Sequence, residues 1–414
     1  MVQCPGGERR SLVSTDADLF LRHRSRSLVD FTQPPRHGGK KWFHLLEITN
    51  DCNACCPVCY ADSGNGDPKN YMPYAQVVEK ARGVRQSGGR VITLTGGEPT
   101  LNKDLPRMIS KARELGLIVE IATNGLVCGQ DESYARLLKK SGLTRAWLQF
   151  DTLDPQTHRL MRGHDHIAAK KKAAENIIKS GIRLGFVVTV TRYNCDQLSG
   201  VIDYALSLGP GFQFIVFQVA APGGRFLLPK EAIVDKEIVM KAVAAAALKD
   251  EAGTKHFWPI PSFAPWKAEL HPDCSAVMFL CTGLSGRVAL DHYVDMPLCY
   301  QRLHAEDASP GFWSRNVLPL WHLIRSIRKS AFWNVVLTFF GFITAKGSRS
   351  MVVLSVDSFL GYDYQDEQRI ARCANSHVTD EGLISPCVYN YPDPARPFSR
   401  HNKKGSVHVS ESKV

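Results

Sequence analysis

Phe43-His44-Leu45-Leu46-Glu47-Ile48 runs almost directly into Asp51-Cys52-Asn53-Ala54-Cys55-Cys56-Pro57-Val58-Cys59-Tyr60, and the reading of that junction decides the fold. The first segment has the length and composition of a short apolar strand. The second sets Cys52, Cys56 and Cys59 at the spacing C-x3-C-x2-C. A short loop so spaced can fold three thiolates around one iron–sulfur cube, because thiolates are the preferred ligands of such clusters. A [4Fe–4S] cube held by three protein ligands keeps one iron open to a small molecule. A structural zinc site and plain buried cysteines are the alternatives. Zinc sites commonly pair C-x2-C knuckles, and no second knuckle follows at finger spacing. Cys55 lies outside the pattern.

Outward from the junction a β-α rhythm begins. The spacing predicts helices over Tyr74–Gln86, Asp104–Leu115, Glu132–Lys140, 167–180 and Leu198–Leu208. Between and after them lie apolar strands over Val91–Leu94, Ile118–Ala122, Ala146–Phe150, Leu184–Val190 and Phe212–Val219. Six strands alternating with helices predict an α/β fold of parallel units with right-handed crossovers. Six units fall short of the eight of a closed barrel, so the expected architecture is a partial (β/α)6 TIM-type barrel with its chemistry at the C-terminal strand ends. That rim collects the cysteine loop, Gly96-Gly97-Glu98-Pro99-Thr100, Thr123-Asn124-Gly125, Gln149 to Asp151 and Thr189-Val190-Thr191. Two glycines let a backbone approach a ligand closely, and Glu98 offers an acceptor for an ammonium group.

The remaining chain divides by composition. Residues 1–40 read as a basic arm, 41–225 as the barrel, 226–394 as a mostly helical C-terminal region, and 395–414 as a flexible basic tail. Ser330–Ala345 is the most apolar stretch. It falls short of the about 20 apolar residues of a transmembrane helix, and reads as a buried helix or as an interfacial, lipid-lining element.

At 414 residues the chain can bury a large core, and 44% hydrophobic with 22% charged residues is ordinary for a soluble protein. Twelve cysteines, behind an opening Met1-Val2-Gln3-Cys4-Pro5-Gly6-Gly7 that has no apolar h-region, point to a reducing, cytoplasmic setting and metal ligation. The net charge of +11 admits a nucleic acid, an anionic membrane surface or an acidic substrate. The basic residues are dispersed. The run Lys170-Lys171-Lys172 has no interleaved aromatics to stack bases, so it reads as a solvated face and argues against nucleic acid.

The cysteine loop, followed one strand later by Gly96-Gly97-Glu98-Pro99, resembles the radical S-adenosylmethionine (SAM) enzymes. In that family the amino and carboxylate groups of SAM occupy the fourth iron, and the glycine–glutamate turn holds the methionine amino group. The resemblance implies a [4Fe–4S] cluster on Cys52, Cys56 and Cys59. It implies SAM contacts from Gly96, Gly97, Glu98 and Pro99, a ribose-side contact from Thr123 and Asn124, and further rim contacts from Gln149 and Asp151. Many members have an aromatic residue before the third cysteine, near adenine. Here that residue is Val58, with Tyr60 just after the loop as the aromatic candidate. The implied mechanism starts with an external one-electron donor of the flavodoxin or ferredoxin type. One electron cleaves the sulfonium bond of SAM, and the resulting 5′-deoxyadenosyl radical takes hydrogen from an unactivated carbon. No acid–base pair is required.

Within that family, Leu46 to Asn53 and Cys56 to Ser63 resemble the tetraether lipid synthase-like branch. Phe217-Gln218 with Gly224-Arg225, His271-Pro272-Asp273-Cys274, Asp366-Glu367-Gln368-Arg369, Cys373 and Pro386-Cys387-Val388-Tyr389-Asn390 extend the likeness over roughly residues 10–391. Branch members join lipid tails by radical carbon–carbon coupling, assisted by extra metal clusters. They carry several cysteines ahead of the SAM loop where this chain has only Cys4, so that extra site is expected to be absent. Among Cys274, Cys281, Cys299, Cys373 and Cys387, an auxiliary iron–sulfur cluster is best placed on Cys274, Cys373 and Cys387. Three functions follow. The first is a radical enzyme acting on a lipid or other apolar substrate, peripheral to an anionic membrane. The second is a radical enzyme modifying a peptide or secondary metabolite with help from an auxiliary cluster. The third is a non-catalytic metal-binding scaffold.

Overall fold

The computed structural model describes residues 3–4, 7–8, 14–27, 41, 43–64, 69–259, 271–283, 286–305, 323–328, 331–333, 335–337, 350–359 and 366–389. Six strands carry the architecture: β1 Phe43–Thr49, β2 Val91–Gly96, β3 Ile118–Thr123, β4 Arg145–Gln149, β5 Arg183–Val190 and β6 Phe212–Val219. They lie side by side in chain order, each parallel to the next. Helix α1, Ala17–Ser25, precedes the sheet. The crossovers are α2 Tyr74–Gln86, α3 Leu105–Glu114, α4 Leu126–Gln130 with α5 Glu132–Lys140, α6 Pro155–Arg162 with α7 Ile167–Lys179, and α8 Leu198–Ser207. The short helices α4 and α6 were not legible as separate elements.

Consecutive parallel strands joined by right-handed crossovers place every helix on the same face of the sheet. One continuous core accordingly joins Leu46, Leu94, Ile121, Leu148, Phe186 and Phe217 of the strands to Val77, Met108, Leu138, Ile177 and Ile202 of the helices. The alternate strand residues face the other way. Glu47, Thr95, Trp147, Gln149, Thr189 and Gln218 are only half-buried, as are Phe43, Leu45, Val187, Phe214 and Val216, so the face without helices keeps contact with water and mixes polar with apolar side chains.

The C-terminal region departs from the mostly helical expectation. Its described residues include helices α9 Lys236–Leu248, α10 Met296–Ala305, α11 Glu367–Ala371 and α12 Pro386–Tyr389, but also five labelled strands. These are β7 Ser275–Gly283, β8 Gly286–Ala289, β9 Ser350–Asp357, β10 Asn375–Val378 and β11 Leu383–Ile384. Strand β9 adds in parallel to β6, and β7 pairs antiparallel with β9. At the other edge β10 adds in parallel to β1 and β11 pairs with β10. The physical reason is edge protection: six strands alone would present two rows of unpaired backbone groups. Met351-Val352-Val353-Leu354-Ser355-Val356 supplies a strongly β-forming segment to cover one of them.

The two edges also meet. The Tyr60 ring lies 5.3 Å from Phe359, just beyond β9, and 6.3 Å from His377 in β10. The N-terminal arm is anchored where it is described. Asp16 caps α1 at 2.9 Å from Leu19 N and pairs with Lys241 at 2.6 Å, while Arg26 donates to Phe257 O at 2.8 Å. The tail 395–414 lies outside the described residues, as does most of Ser330–Ala345. Of that apolar stretch, Ala331 and Val335 are buried while Phe332, Trp333 and Leu337 are exposed. No helix among the described residues is long and apolar enough to cross a membrane.

Candidate active site

The cysteine loop leaves the end of β1 and is held from three sides. From β2, Gly97 N donates to Thr49 O at 2.8 Å and Glu98 N to Asp51 O at 2.7 Å. The two glycines allow this contact. A Cβ at Gly96 would sit 2.1 Å from Thr49 O, and one at Gly97 would sit 2.1 Å from Asp51 O. Gly96 also has φ +126°, a conformation that side chains resist. The close approach expected of this turn is therefore made to the root of the loop.

Glu98 has no exposed surface. One carboxylate oxygen accepts from Thr100 N at 3.1 Å, Thr100 Oγ1 at 2.6 Å and Thr123 Oγ1 at 2.7 Å, and the other from Asn124 N at 2.7 Å. Burial pushes its carboxyl up and these four donors pull it back. Glu98 and Thr123 thus tie the end of β2 to the end of β3. The tie aims Asn124 at the loop: its amide donates to Asn53 Oδ1 at 2.7 Å and lies 3.9 Å from Cys52 Sγ.

From the end of β4, Asp151 is fully buried. It accepts from Thr189 N at 2.8 Å, from Arg162 Nε at 2.6 Å and from the Gln149 amide. Gln149 is gripped in turn by Lys170 Nζ, which donates to its carbonyl at 2.9 Å and to its side-chain oxygen. Gln149 and Asp151 are therefore engaged with cations of α6 and α7. Lys170 corrects the solvated-face reading of its run, being 2% exposed. Burial pulls its ammonium down to about 8, with Asp151 opposing. Its spacing from Ile167, Ala174 and Ile177, all on the buried stripe of α7, was the available sign.

The third hold comes from the segment after β6. Arg225 and Phe226 bridge antiparallel to Cys59 and Val58. Arg225 donates to Cys56 O at 2.7 Å and Ser63 O at 2.8 Å, and pairs with Asp62 at 3.2 Å. Gly224, at φ +67°, lets this strap in: a Cβ there would lie 2.4 Å from Cys59 O and 2.3 Å from Tyr60 O. Neither the Arg162 nor the Arg225 contact was legible from local sequence, because both partners are backbone carbonyls far along the chain.

The donor set suits a cluster. Cys52, Cys56 and Cys59 are half-buried and interact electrostatically with one another. Burial pushes the Cys52 thiol up to about 12, and pushes Cys56 up against the pull of Arg162. Such thiols become thiolates when a cationic group binds them and displaces their protons to solvent. No three His, Cys, Asp or Glu side chains among the described residues converge as tightly as the ligands of one metal ion. A cube spreads its thiolates wider than a single ion does. Tyr60, the aromatic candidate for the cofactor, packs against Phe359 and His377, and its hydroxyl donates to Pro386 O at 3.4 Å.

A second group of cysteines gathers around Arg369, which is buried in the C-terminal region. Its Nε donates to Cys274 Sγ at 3.1 Å, its charge also reaches Cys387, and Cys274 in turn interacts with Cys373. Cys281 and Cys299 lie apart, in a separate apolar cluster with Trp258 and Tyr300.

The chain is similar to known proteins over part of its length. The family model described as the radical SAM superfamily matches residues 46–205. A 7,8-dihydro-6-hydroxymethylpterin dimethyltransferase of Methanocaldococcus jannaschii is 30% identical over 240 residues, 56% of this chain and 47% of the relative. The chain thus spans about half the length of that protein. A probable GTP 3′,8-cyclase of Methanococcus maripaludis is 30% identical over 210 residues, 50% of this chain and 69% of the relative. The crystal structure of Streptococcus suis SuiB bound to S-adenosylmethionine superposes with a TM-score of 0.44 at 18% identity, covering 51% of this chain and 48% of that one.

Proposed function

The chain belongs to the radical SAM superfamily, and on that premise we propose that it is an enzyme that reductively cleaves SAM and takes hydrogen from an unactivated carbon of its substrate. One observation carries this reading: Cys52, Cys56 and Cys59 share a loop at the C-terminal rim of a consecutive parallel sheet, pinned by β2, by Arg162 and by Arg225. Cys52, Cys56 and Cys59 would hold a [4Fe–4S] cluster, which would supply the one electron that splits the sulfonium of SAM into methionine and a 5′-deoxyadenosyl radical. The chain's own residues position and shield. Asn124 and the backbone of Gly96 to Pro99 line the cofactor side of the rim beside Cys52. Glu98, Thr123, Gln149 and Asp151 hold those groups in place through the bonds described above. The six parallel strands form a partial (β/α)6 barrel over 41–225, with 226–394 closing its edges over the substrate and an auxiliary cluster on Cys274, Cys373 and Cys387 as a further cofactor. An external flavodoxin- or ferredoxin-type protein supplies the electron.

Two substrate classes compete. The resemblance to the tetraether lipid synthase-like branch, with Phe332, Trp333 and Leu337 exposed on the described part of the apolar stretch, supports a lipid at a membrane surface. The helix-free face of the sheet supports the second reading, a polar metabolite or peptide. Near the rim it presents Glu47, Thr95, Gln149, Thr189 and Gln218. Gln149 and Thr189 are already bonded to Asp151, Lys170 and Arg162, while covering Thr95 or Gln218 with a lipid tail that offers no hydrogen bond would cost about 1–3 kcal/mol per group. The relatives named for GTP and for a hydroxymethylpterin fit the same polar class. The inner face favours the polar reading.

The test is release of 5′-deoxyadenosine by anaerobically reconstituted, dithionite-reduced protein supplied with SAM. Release that is lost in Cys56→Ala supports the radical enzyme, and no release from iron-loaded wild type contradicts it. Phosphatidylglycerol vesicles are expected to leave the rate unchanged. Acceleration over phosphatidylcholine vesicles would restore the lipid reading.

A further inference from the structure

Two arginines touch the backbone of the cysteine loop, and they differ in one respect. Arg225 grips it from the outer side, and its partner Asp62 is 24% exposed. Arg162 lies beneath the loop at 8% exposure, paired at 2.6 Å with an Asp151 that has none. Its Nη1 donates to Val58 O and its Nη2 to Thr189 Oγ1 at 2.9 Å, so all three guanidinium nitrogens are committed. Its charge reaches both Cys56 and Cys59. A guanidinium cannot lose its proton in a protein, so this cation is permanent.

We propose that Arg162 and its counter-ion Asp151 set the reduction potential of the cluster held by Cys52, Cys56 and Cys59, while Arg225 fixes the shape of the loop that receives it. The proposal rests on the reading that this loop holds a cluster. The physics is that of charges screened poorly by a dry surrounding. One-electron reduction adds a negative charge to a site already ringed by three thiolates. A buried cation beside it favours the reduced form, and a buried anion disfavours it. Net charge and burial are among the levers that spread such potentials over a wide range. Lys170 lies in the same electrostatic neighbourhood, reaching Cys56 from beyond Gln149, and adds to the cationic side. Arg225 is almost as buried, at 11% exposure, but its counter-ion Asp62 is 24% exposed and its bonds go to Cys56 O and Ser63 O of the loop backbone, so it is assigned the loop's shape.

The experiment is an electron-paramagnetic-resonance redox titration of the anaerobically reconstituted full chain without SAM, with iron counted per chain. Arg162→Gln is expected to move the midpoint negative by at least a tenfold change in the reduced-to-oxidised ratio, 59 mV for one electron. Asp151→Asn is expected to move it positive. The opposite signs from two residues in contact are a signature that loosened packing does not produce. Arg162→Lys keeps the charge, and its midpoint is expected near that of wild type even if its stability drops. Arg225→Gln is expected to load less iron while the loaded fraction keeps the wild-type midpoint. Shifts of the same sign, or none, in fully loaded Arg162→Gln and Asp151→Asn would overturn the proposal. If Arg162→Gln does not fold, a negative or absent shift in Asp151→Asn overturns it alone. A wild type that binds no iron would overturn the cluster reading itself, which is a different failure.

Discussion

His44 sits within β1, two positions before Leu46, with no exposed surface. Its Nδ1 shares a hydrogen bond of 2.8 Å with Ser376 Oγ on β10, and its Nε2 has no partner among the described residues. Burial, with Lys41 adding to it, pulls its pKa down to about 4. A histidine depressed in the fold binds its proton first in the unfolded chain. Stability from keeping it neutral is therefore whole above pH 6.5 and lost as pH falls from 6.5 toward 4, at up to about 1.4 kcal/mol per pH unit. His44→Asn keeps a group opposite Ser376 and cannot titrate. In urea unfolding it should be less stable than wild type at pH 7.5, with the gap narrowing by about that slope below pH 6.5. A gap constant from pH 7.5 to 5 would contradict this account of how β10 is joined to β1. The same residue scale shows what could not be read ahead. Glu98 and Asp151 are visible as charged residues at strand ends and Lys170 as one of a basic run, but besides near neighbours their partners include Thr123 and Asn124, 25 and 26 residues from Glu98, and Arg162 and Thr189, 11 and 38 residues from Asp151.

At the scale of elements, the strap after β6 carries the most consequence for the fewest residues. Gly224 and Arg225 follow the last parallel strand of the consecutive six and return across the cysteine loop, so the loop's shape depends on the sheet being complete through β6. Gly224→Ala would drive a methyl group to 2.3 Å from Tyr60 O and place alanine at φ +67°, and the backbone on both sides must then move. It is expected to lower the iron bound per reconstituted chain several-fold while the helical circular dichroism stays near wild type. Full iron loading in Gly224→Ala would show that the loop holds its shape without the strap. The strands and crossovers themselves were legible because their apolar spacing is local. Helices α2, α5 and α7 fall within a residue of the spans their periodicity indicates, and β6 matches its span. The strap has no such periodicity: Gly224-Arg225 stood out as part of the family resemblance, but its hold on the loop, more than 160 residues back, did not.

Taken whole, the molecule is a run of parallel β-α units whose two edges are covered by one C-terminal region. That region reads poorly from sequence because its strands are separated by long stretches and their pairing is non-local. Ser350–Asp357 must find Phe212–Val219, and Asn375–Val378 must find Phe43–Thr49, before either shows its role. The placing of Cys274 and Cys387 about Arg369 has the same origin: these cysteines, with Cys373 beside Cys274, were candidates as residue types, but only the packing of α11 brings the first two to one cation. The central claim is that the loop from Cys52 to Cys59 holds an iron–sulfur cluster independent of that second group. Iron counting tests it most directly, comparing reconstituted wild type with the Cys52/Cys56/Cys59 triple alanine variant. The account predicts about eight irons per chain in wild type and about four in the variant. Equal iron in the two chains would contradict it.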